Sequence, residues 1–140
     1  MIMPITMKLR RFCKEGKLRM AERRKACHDN AIVRKKLKQW VAGKKYRLRY
    51  YSMDSILDEL GLTSKELSSY CSRKFKKNFL SWRKDLRMDD AKRMLLEHPD
   101  FPVTRIAEEV GIDDKSNFRH QFKSVTGYTP TEWRLKKIKK

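Results

Sequence analysis

Two copies of one ten-residue pattern decide the fold: Met53-Asp54-Ser55-Ile56-Leu57-Asp58-Glu59-Leu60-Gly61-Leu62 and, fifty residues later, Val103-Thr104-Arg105-Ile106-Ala107-Glu108-Glu109-Val110-Gly111-Ile112. In each copy apolar residues recur at helical spacing and a glycine follows, which predicts a short amphipathic helix and then a sharp turn. Each copy leads into a second predicted helix that carries positive charge. Two copies are too few for a solenoid, but they suit two helix-turn-helix units in one small protein.

The same spacing predicts which side chains face inward. Ser52 is the predicted cap of the first short helix, and Gly61 can adopt the positive φ that the turn needs without steric cost. The second helix of each unit is expected to begin near Ser64 and near Asp114, and the later one to end at Gly127. The predicted core positions of the two units are Met53, Ile56, Leu57, Leu60, Leu67 and Cys71, then Val103, Ile106, Ala107, Val110, Phe118 and Phe122.

A long connecting helix and one further helix at each end complete the expected architecture. Apolar spacing predicts the long helix over about residues 78–97, and Pro99 and Pro102 prevent this helix from continuing further. Helical spacing also runs from residue 31 to Gly43, and Thr129-Pro130-Thr131-Glu132 has the pattern of a helix start. The expected fold class is therefore all-α, with two helix-turn-helix subdomains (homeodomain-like repeats) joined by a long linker helix.

Positive charge is concentrated in the N-terminal third of the chain. The net charge is +19; residues 1–50 hold 17 Lys and Arg against 3 Asp and Glu, whereas residues 51–140 hold 19 against 14. Such a balance predicts a polyanionic partner. The expected domains are a basic N-terminal extension at 1–30 and a double helix-turn-helix domain at 31–140, with lobe one at about 31–77, the linker helix at about 78–97 and lobe two at about 100–136.

Other classes of function lack support in the sequence. Cys13, Cys27 and Cys71 lack the paired spacing of a zinc site or a disulfide framework, so free thiols in a reducing cytoplasm are expected. The apolar start at residues 1–7 is too short to span a bilayer. The basic residues follow this apolar stretch, whereas in a signal peptide they come before it. No catalytic grouping, phosphate-binding glycine loop or metal motif occurs, so we expect neither an enzyme nor a cofactor.

The later part of the chain carries a long and specific motif: Gly111-Ile112-Asp113-Asp114-Lys115-Ser116-Asn117-Phe118-Arg119-His120-Gln121-Phe122-Lys123, then Thr126-Gly127-Tyr128-Thr129-Pro130 and Trp133-Arg134. Together with Arg87-Met88-Asp89-Asp90-Ala91-Lys92-Arg93-Met94-Leu95 and Leu67, it resembles the AraC/XylS-type bacterial transcription regulators over about residues 31–136. The resemblance implies a seven-helix DNA-binding domain with double-stranded DNA as partner. It also implies that helices 64–75 and 114–124 enter the major groove about one helical turn, roughly 34 Å, apart.

The DNA-binding candidates are the side chains that project outward when the predicted core residues face inward. They are Lys65, Glu66, Ser68, Ser69, Ser72, Arg73 and Lys74 on the first recognition helix and Lys115, Ser116, Asn117, Arg119, His120 and Lys123 on the second. Arg119 is the best candidate for a base contact, because arginine can donate to guanine O6 and N7. Lys123, Arg73 and Lys74 are better candidates for phosphate contacts.

Three positions depart from the family pattern in the first unit. Lys76 stands where the family usually has glycine, so a lysine is expected to adopt a left-handed conformation at a cost of about 1 kcal/mol. Cys71 replaces a larger residue and Leu57 a smaller one, and the two changes are expected to compensate in volume. The first recognition helix also offers short serines, so the second unit is expected to carry more of the sequence readout.

Three hypotheses about function remain open at this stage. The leading one is a sequence-specific bacterial transcription regulator that binds an asymmetric site as a monomer, with RNA polymerase as a further partner and a cytoplasmic, nucleoid-associated location. The runner-up is a non-specific nucleic-acid-binding protein driven by the polybasic N-terminal third. The third is docking of this basic arm on an anionic membrane or on the acidic surface of another regulator. A small-molecule effector pocket built from residues 1–30 is not expected, so the chain is interpreted as a stand-alone regulator or a detached output domain.

Overall fold

All regular structure in the computed structural model is helical within the residues that it describes, which are 21, 22, 25, 29–50 and 52–138. The all-α prediction is confirmed by the comparison with solved structures reported below. Cys13, Cys27, residues 1–7 and most of the predicted basic extension lie outside the described residues. The helices are α1 (29–42), a 3-10 helix (Lys45–Arg47), α2 (Met53–Leu60), α3 (Ser64–Phe75), α4 (Phe79–Glu97), α5 (Val103–Glu109), α6 (Lys115–Thr126) and α7 (Pro130–Ile138).

The two copies of the repeat end in the same hydrogen-bond pattern. The backbone N–H of Leu62 donates to the carbonyl of Leu57 at 3.1 Å, and that of Ile112 donates to the carbonyl of Ala107 at 2.8 Å. The glycine before each donor has a positive φ, 64° in the first copy and 93° in the second. This is the Schellman ending of a helix, and the buried donor residues supply its apolar contact. The repeat of sequence is therefore also a repeat of structure.

Each helix-turn-helix unit has its own apolar core. The core of lobe one consists of Val33, Leu37, Trp40, Tyr46, Ile56, Leu60, Leu62, Leu67, Tyr70, Cys71 and Phe79. The core of lobe two consists of Met88, Ala91, Met94, Leu95, Ile106, Ala107, Val110, Ile112, Phe118, Phe122 and Trp133. One core prediction is wrong: Met53 is exposed, because it is the first residue of α2 and no earlier turn of that helix covers it.

The linker helix α4 belongs to both cores and thereby joins the lobes. Its first turn places Phe79 in the core of lobe one, with Trp82 packed against that core. Its second half places Met88 and Leu95 in the core of lobe two, where neither is exposed. Asn78 caps the helix by accepting a hydrogen bond from the backbone N–H of Ser81 at 2.8 Å. One continuous helix therefore carries both units.

Two lysines adopt the left-handed backbone conformation that favours glycine. Lys76, at the end of α3, has φ 59° and ψ 27°, which confirms the strain predicted there from the sequence. Lys44 has φ 54°, so the turn after α1 places its positive φ at this lysine and not at the preceding Gly43. For a residue with a Cβ this conformation costs about 1–2 kcal/mol.

The Lys76→Gly variant is expected to be more stable than the wild type by about 0.5–1 kcal/mol. Glycine removes the Cβ clash of the left-handed conformation, and its larger unfolded-state entropy offsets part of that gain. Urea unfolding measures the difference. Lys76→Ala is the matched control, because it removes the same charged side chain but keeps the Cβ at the positive φ. Equal stabilities for the two variants would show that Lys76 carries no strain.

Two adjacent aspartates of α4 have opposite environments: Asp89 is 71% exposed, whereas Asp90 faces the interior. Its side chain is buried, with 6% of its surface exposed, and it accepts hydrogen bonds from the Tyr46 hydroxyl at 2.9 Å, from Arg47 at 2.5 Å and from Arg93 at 2.7 Å. Burial by itself raises the pKa of Asp90, but the hydrogen bonds from Arg47, Arg93 and Tyr46 outweigh it and lower the pKa to about 2. The Asp90 carboxylate is therefore buried and ionised at neutral pH, and it stabilises the fold through these three hydrogen bonds.

Candidate nucleic-acid interface

α6 presents a polar face because its apolar side chains are held in the core of lobe two. Phe118 and Phe122 are fully buried, with their ring centroids 5.9 Å apart, and Phe122 also meets the ring of Trp133 edge-on at 5.9 Å. Asp114 caps the helix by accepting a hydrogen bond from the backbone N–H of Ser116 at 3.0 Å. Every predicted DNA-binding residue of this helix is exposed, namely Lys115, Ser116, Asn117, Arg119, His120 and Lys123.

Most of this exposed face is free to contact a ligand. Asn117 accepts a hydrogen bond from the Gln121 amide at 3.1 Å, which orients its side chain along the helix. In the described part of the chain, no hydrogen bond or ion pair engages the side chains of Lys115, Arg119 or Lys123. Long donors without internal partners lose no protein contact when they bind a base edge or a phosphate.

α3 occupies the equivalent place in lobe one, with Leu67, Tyr70 and Cys71 facing the core. Burial raises the pKa of the Cys71 thiol to about 11, so this cysteine stays neutral and acts as a small apolar residue. All seven predicted DNA-binding residues of α3 are exposed, namely Lys65, Glu66, Ser68, Ser69, Ser72, Arg73 and Lys74.

Glu66, which was predicted only as a DNA-binding residue, also takes part in capping α3. Thr63 caps α3: its hydroxyl accepts a hydrogen bond from the backbone N–H of Glu66 at 3.2 Å and donates to the Glu66 carboxylate at 3.1 Å. Thr63 and Glu66 have the spacing of a capping box, which was recognised only at the start of α7. There Thr129 and Glu132 make the reciprocal bonds as predicted, each at 3.2 Å. The carboxylate of Glu66 is therefore already engaged within the protein.

The end of α3 forms a basic cluster with α1. The guanidinium of Arg73 donates to the side chain of Asn30 at 2.7 Å and to the carbonyl of Ser69 at 3.2 Å. Arg34 of α1 lines the same surface depression as Arg73 and Lys74. Arg34 was not among the residues predicted to bind DNA, because only the apolar residues of α1 had been used to predict its role. Its helical spacing from the buried Val33 and Leu37 could have placed it on the rim of that face.

Other kinds of site find little support in the described residues. No group of three or more His, Cys, Asp or Glu side chains among them is arranged to hold a metal ion. None of the described helices combines the length and the apolar composition that a membrane crossing requires. A groove of about 380 Å³, open to solvent, lies between α1, α3 and α4, and its floor includes Val41, Phe75, Trp82 and Leu86. This groove was not anticipated, since only residues 1–30 had been considered as a possible pocket.

Comparison with known proteins identifies the double helix-turn-helix arrangement. A family model described as a helix-turn-helix domain matches residues 56–136, which include α3, the linker helix and all of lobe two. The chain belongs to this family of AraC-type helix-turn-helix domains. The resemblance drawn from the motif around residues 111–134 is thereby confirmed.

Relatives and solved structures agree with this assignment. The arabinose operon regulatory protein of Salmonella typhimurium is 32% identical over 85 residues, which cover 61% of this chain and 30% of that protein. The C-terminal domain of AraT, a response regulator from Geobacillus stearothermophilus, superposes with a TM-score of 0.65 at 26% identity, covering 75% of this chain and 84% of that one. The C-terminal domain of the response regulator yesN from Fusobacterium nucleatum gives a TM-score of 0.61 at 29% identity, covering 71% and 96%. The chain thus spans about a third of the length of the curated relative it matches.

Proposed function

We propose that this chain is a sequence-specific DNA-binding transcription regulator that places α3 and α6 in adjacent segments of the major groove. The observation that carries the proposal is the exposed polar face of α6, set on the buried Phe118 and Phe122 in an AraC-type helix-turn-helix unit. An α-helix fits the major groove of B-DNA, where each base pair presents a distinct pattern of donors and acceptors. The similar arabinose regulator and response regulators make regulation of transcription the most consistent use of such a domain.

The two recognition helices have unequal roles in this proposal. α6 offers Arg119, Asn117 and His120, whose side chains are long enough to reach base edges. α3 offers short serines in its middle and a basic cluster at its end, where Arg73 is tied to α1. We therefore assign most base contacts to α6 and mainly phosphate contacts to α3. The resulting DNA site is asymmetric, although the two lobes share one fold.

The Arg119→Ala variant is expected to lose about 1–3 kcal/mol of binding free energy on its preferred site, with relaxed preference at one base pair. A bidentate contact to guanine is lost, while the contacts of the other residues remain. Fluorescence anisotropy on a set of duplexes that differ at each position measures both effects. Lys123→Ala is the matched control, because loss of a phosphate contact weakens all sequences alike. A uniform loss for Arg119→Ala would instead make Arg119 a phosphate contact.

The domain boundaries and further partners belong to the same proposal. We assign residues 31–140 to the DNA-binding domain and residues 1–30 to a basic extension that strengthens attraction to the DNA backbone. We also propose RNA polymerase as a further partner and a cytoplasmic, nucleoid-associated location. α1 is already helical at residue 29, and its Asn30 holds Arg73, so the extension is best tested by deleting residues 1–20 alone. The expected result is lower non-specific affinity and a shallower salt dependence, with the specific site retained. Loss of the preference for the specific site would favour the non-specific nucleic-acid-binding alternative.

A further inference from the structure

Residues 46–49, here called the interlobe segment, begin in lobe one and contact both the linker helix and lobe two. The side chain of Tyr46 lies in the core of lobe one, where its ring meets that of Trp40 edge-on at 6.4 Å. The neighbouring residues of the segment turn away from this core. Their contacts determine how the two lobes are held relative to each other.

Two arginines of α4 hold the backbone of the interlobe segment. Arg87 donates to the carbonyl of Tyr46 at 2.7 Å and to that of Leu48 at 3.2 Å. Arg83 donates to the same two carbonyls, at 3.2 Å to Tyr46 and at short range to Leu48. Burial, with the charges of Arg83 and Arg49, lowers the pKa of Arg87 to about 10, so it remains charged at neutral pH. The segment is therefore fastened to the linker helix through charge-assisted hydrogen bonds.

The side chain of Arg47 bridges the linker helix and α5. Its guanidinium donates to Asp90 at 2.5 Å and approaches the sulfur of Met94 at 3.6 Å, both on α4. It also lies 3.9 Å from the carboxylate of Glu109 at the end of α5. Only 19% of this side chain is exposed, so solvent screens these contacts less than it would at an open surface. One residue of lobe one thus contacts two helices that define the position of lobe two.

The backbone of the interlobe segment also touches the turn that leads into α6. A Cβ at Gly111 would lie 2.0 Å from the carbonyl oxygen of Arg47, so the two backbones are in direct contact. Two residues further on, Asp113 forms an ion pair with Arg49. This turn sets the direction of α6. The interlobe segment therefore contacts lobe two at the residues that immediately precede α6.

We propose that the interlobe segment fixes the distance and the helical phase between α3 and α6 on DNA, with Arg47, Glu109 and Asp113 as positioning residues. This inference rests on the proposed function, because it concerns the spacing of the two DNA segments that the lobes contact. One added base pair moves the second segment by about 3.4 Å and rotates it by about a tenth of a turn. A rigid connection confines tight binding to one spacing, whereas a loosened connection lets the lobes follow several spacings.

The test uses the full chain and the two-segment DNA site that the wild type selects from random duplexes. Duplexes are prepared with the selected spacing and with one or two base pairs inserted or removed between the segments. For each protein the measured quantity is the ratio of affinities for the selected and the altered spacing, because a partly unfolded variant loses affinity for all duplexes alike. The variants are Arg47→Ala and, as a surface change that spares both cores, Glu109→Gln combined with Asp113→Asn. The matched control is Glu59→Gln combined with Asp85→Asn. It also removes two negative charges, but the ion pairs that are lost, Glu59 with Lys45 and Asp85 with Lys77, lie outside the contact between the lobes.

The wild type and the control are expected to bind the selected spacing much more tightly than the altered ones. In Arg47→Ala this ratio of affinities is expected to fall about tenfold, and the double variant is expected to lower it as well. If the wild type selects a two-segment site but both variants keep its spacing preference, this inference is overturned and the proposed function stays intact. A wild type that selects no sequence overturns the proposed function itself, and this inference with it. A selected site of a single segment overturns this inference and the two-segment binding mode of the proposed function, whereas sequence-specific binding of DNA would stand.

Discussion

Replacing Gly111 with alanine is expected to destabilise the protein by about 2–5 kcal/mol, the sum of a left-handed backbone and an overpacked contact. Gly111 has φ 93°, and an added Cβ would lie 2.0 Å from the carbonyl oxygen and 2.9 Å from the carbonyl carbon of Arg47. Both atoms are backbone atoms, so the clash cannot be relieved by rotating a side chain. The turn must shift away from the interlobe segment, and α6 shifts with it.

Gly127→Ala is the matched control for this prediction. Gly127 has a similar φ of 83°, but a Cβ there would meet nothing within 4 Å. The control therefore measures the cost of the backbone conformation alone, about 1–2 kcal/mol. Urea unfolding of both variants gives the two free energies. If Gly111→Ala costs no more than Gly127→Ala, the close contact between the interlobe segment and the turn does not exist in solution.

Replacing Asp90 with alanine is expected to cost about 3–5 kcal/mol of folding free energy, the usual cost of removing one partner from a buried ion pair. The Tyr46 hydroxyl loses its acceptor and the half-buried guanidinium of Arg47 loses its nearest carboxylate. Asp89→Ala is the matched control, because Asp89 is the preceding residue of α4, is 71% exposed and has only a 3.6 Å pair with Lys92. Surface pairs of that kind contribute about 0–1 kcal/mol.

The dependence on pH provides a second measurement of the same contact. The pKa of Asp90 is lowered from 3.8 to about 2 in the folded protein, so its ionised form stabilises the fold fully above the unfolded value. That contribution is lost as the pH falls from about 4 towards 2. The stability difference between wild type and Asp90→Ala is therefore expected to shrink over this range. A difference that stays constant down to pH 2 would contradict an ionised Asp90.

The features predictable from the sequence are those with local causes. The glycine turns and the start of α7 each follow from residue types within one or two turns of helix. The left-handed Lys76 was expected from the resemblance, because the family usually has glycine at that position. The two faces of α3 and α6 follow from the period of their apolar residues. For this reason the double helix-turn-helix fold and the exposed DNA-binding candidates on α3 and α6 could be predicted from the sequence.

The features that could not be predicted depend on residues far apart in the chain. Asp90 lies next to Asp89 in a sequence pattern typical of a helix surface, and its partner Arg47 is 43 residues away on a 3-10 helix. Gly61 and Gly111 are equivalent in the repeat, yet only Gly111 lies against a backbone carbonyl. A pattern of apolar spacing does not contain this information, because it describes one helix at a time and not the contact between lobes.

The most direct test of the proposed function is selection of binding sites from a random DNA duplex library by the full chain, at a salt concentration that suppresses non-specific binding. The expected result is an enriched asymmetric motif of two segments about one helical turn apart, with the stronger base preference in the segment contacted by α6. DNA that is retained without any enriched sequence would contradict sequence-specific regulation and would leave only electrostatic attraction to the phosphate backbone.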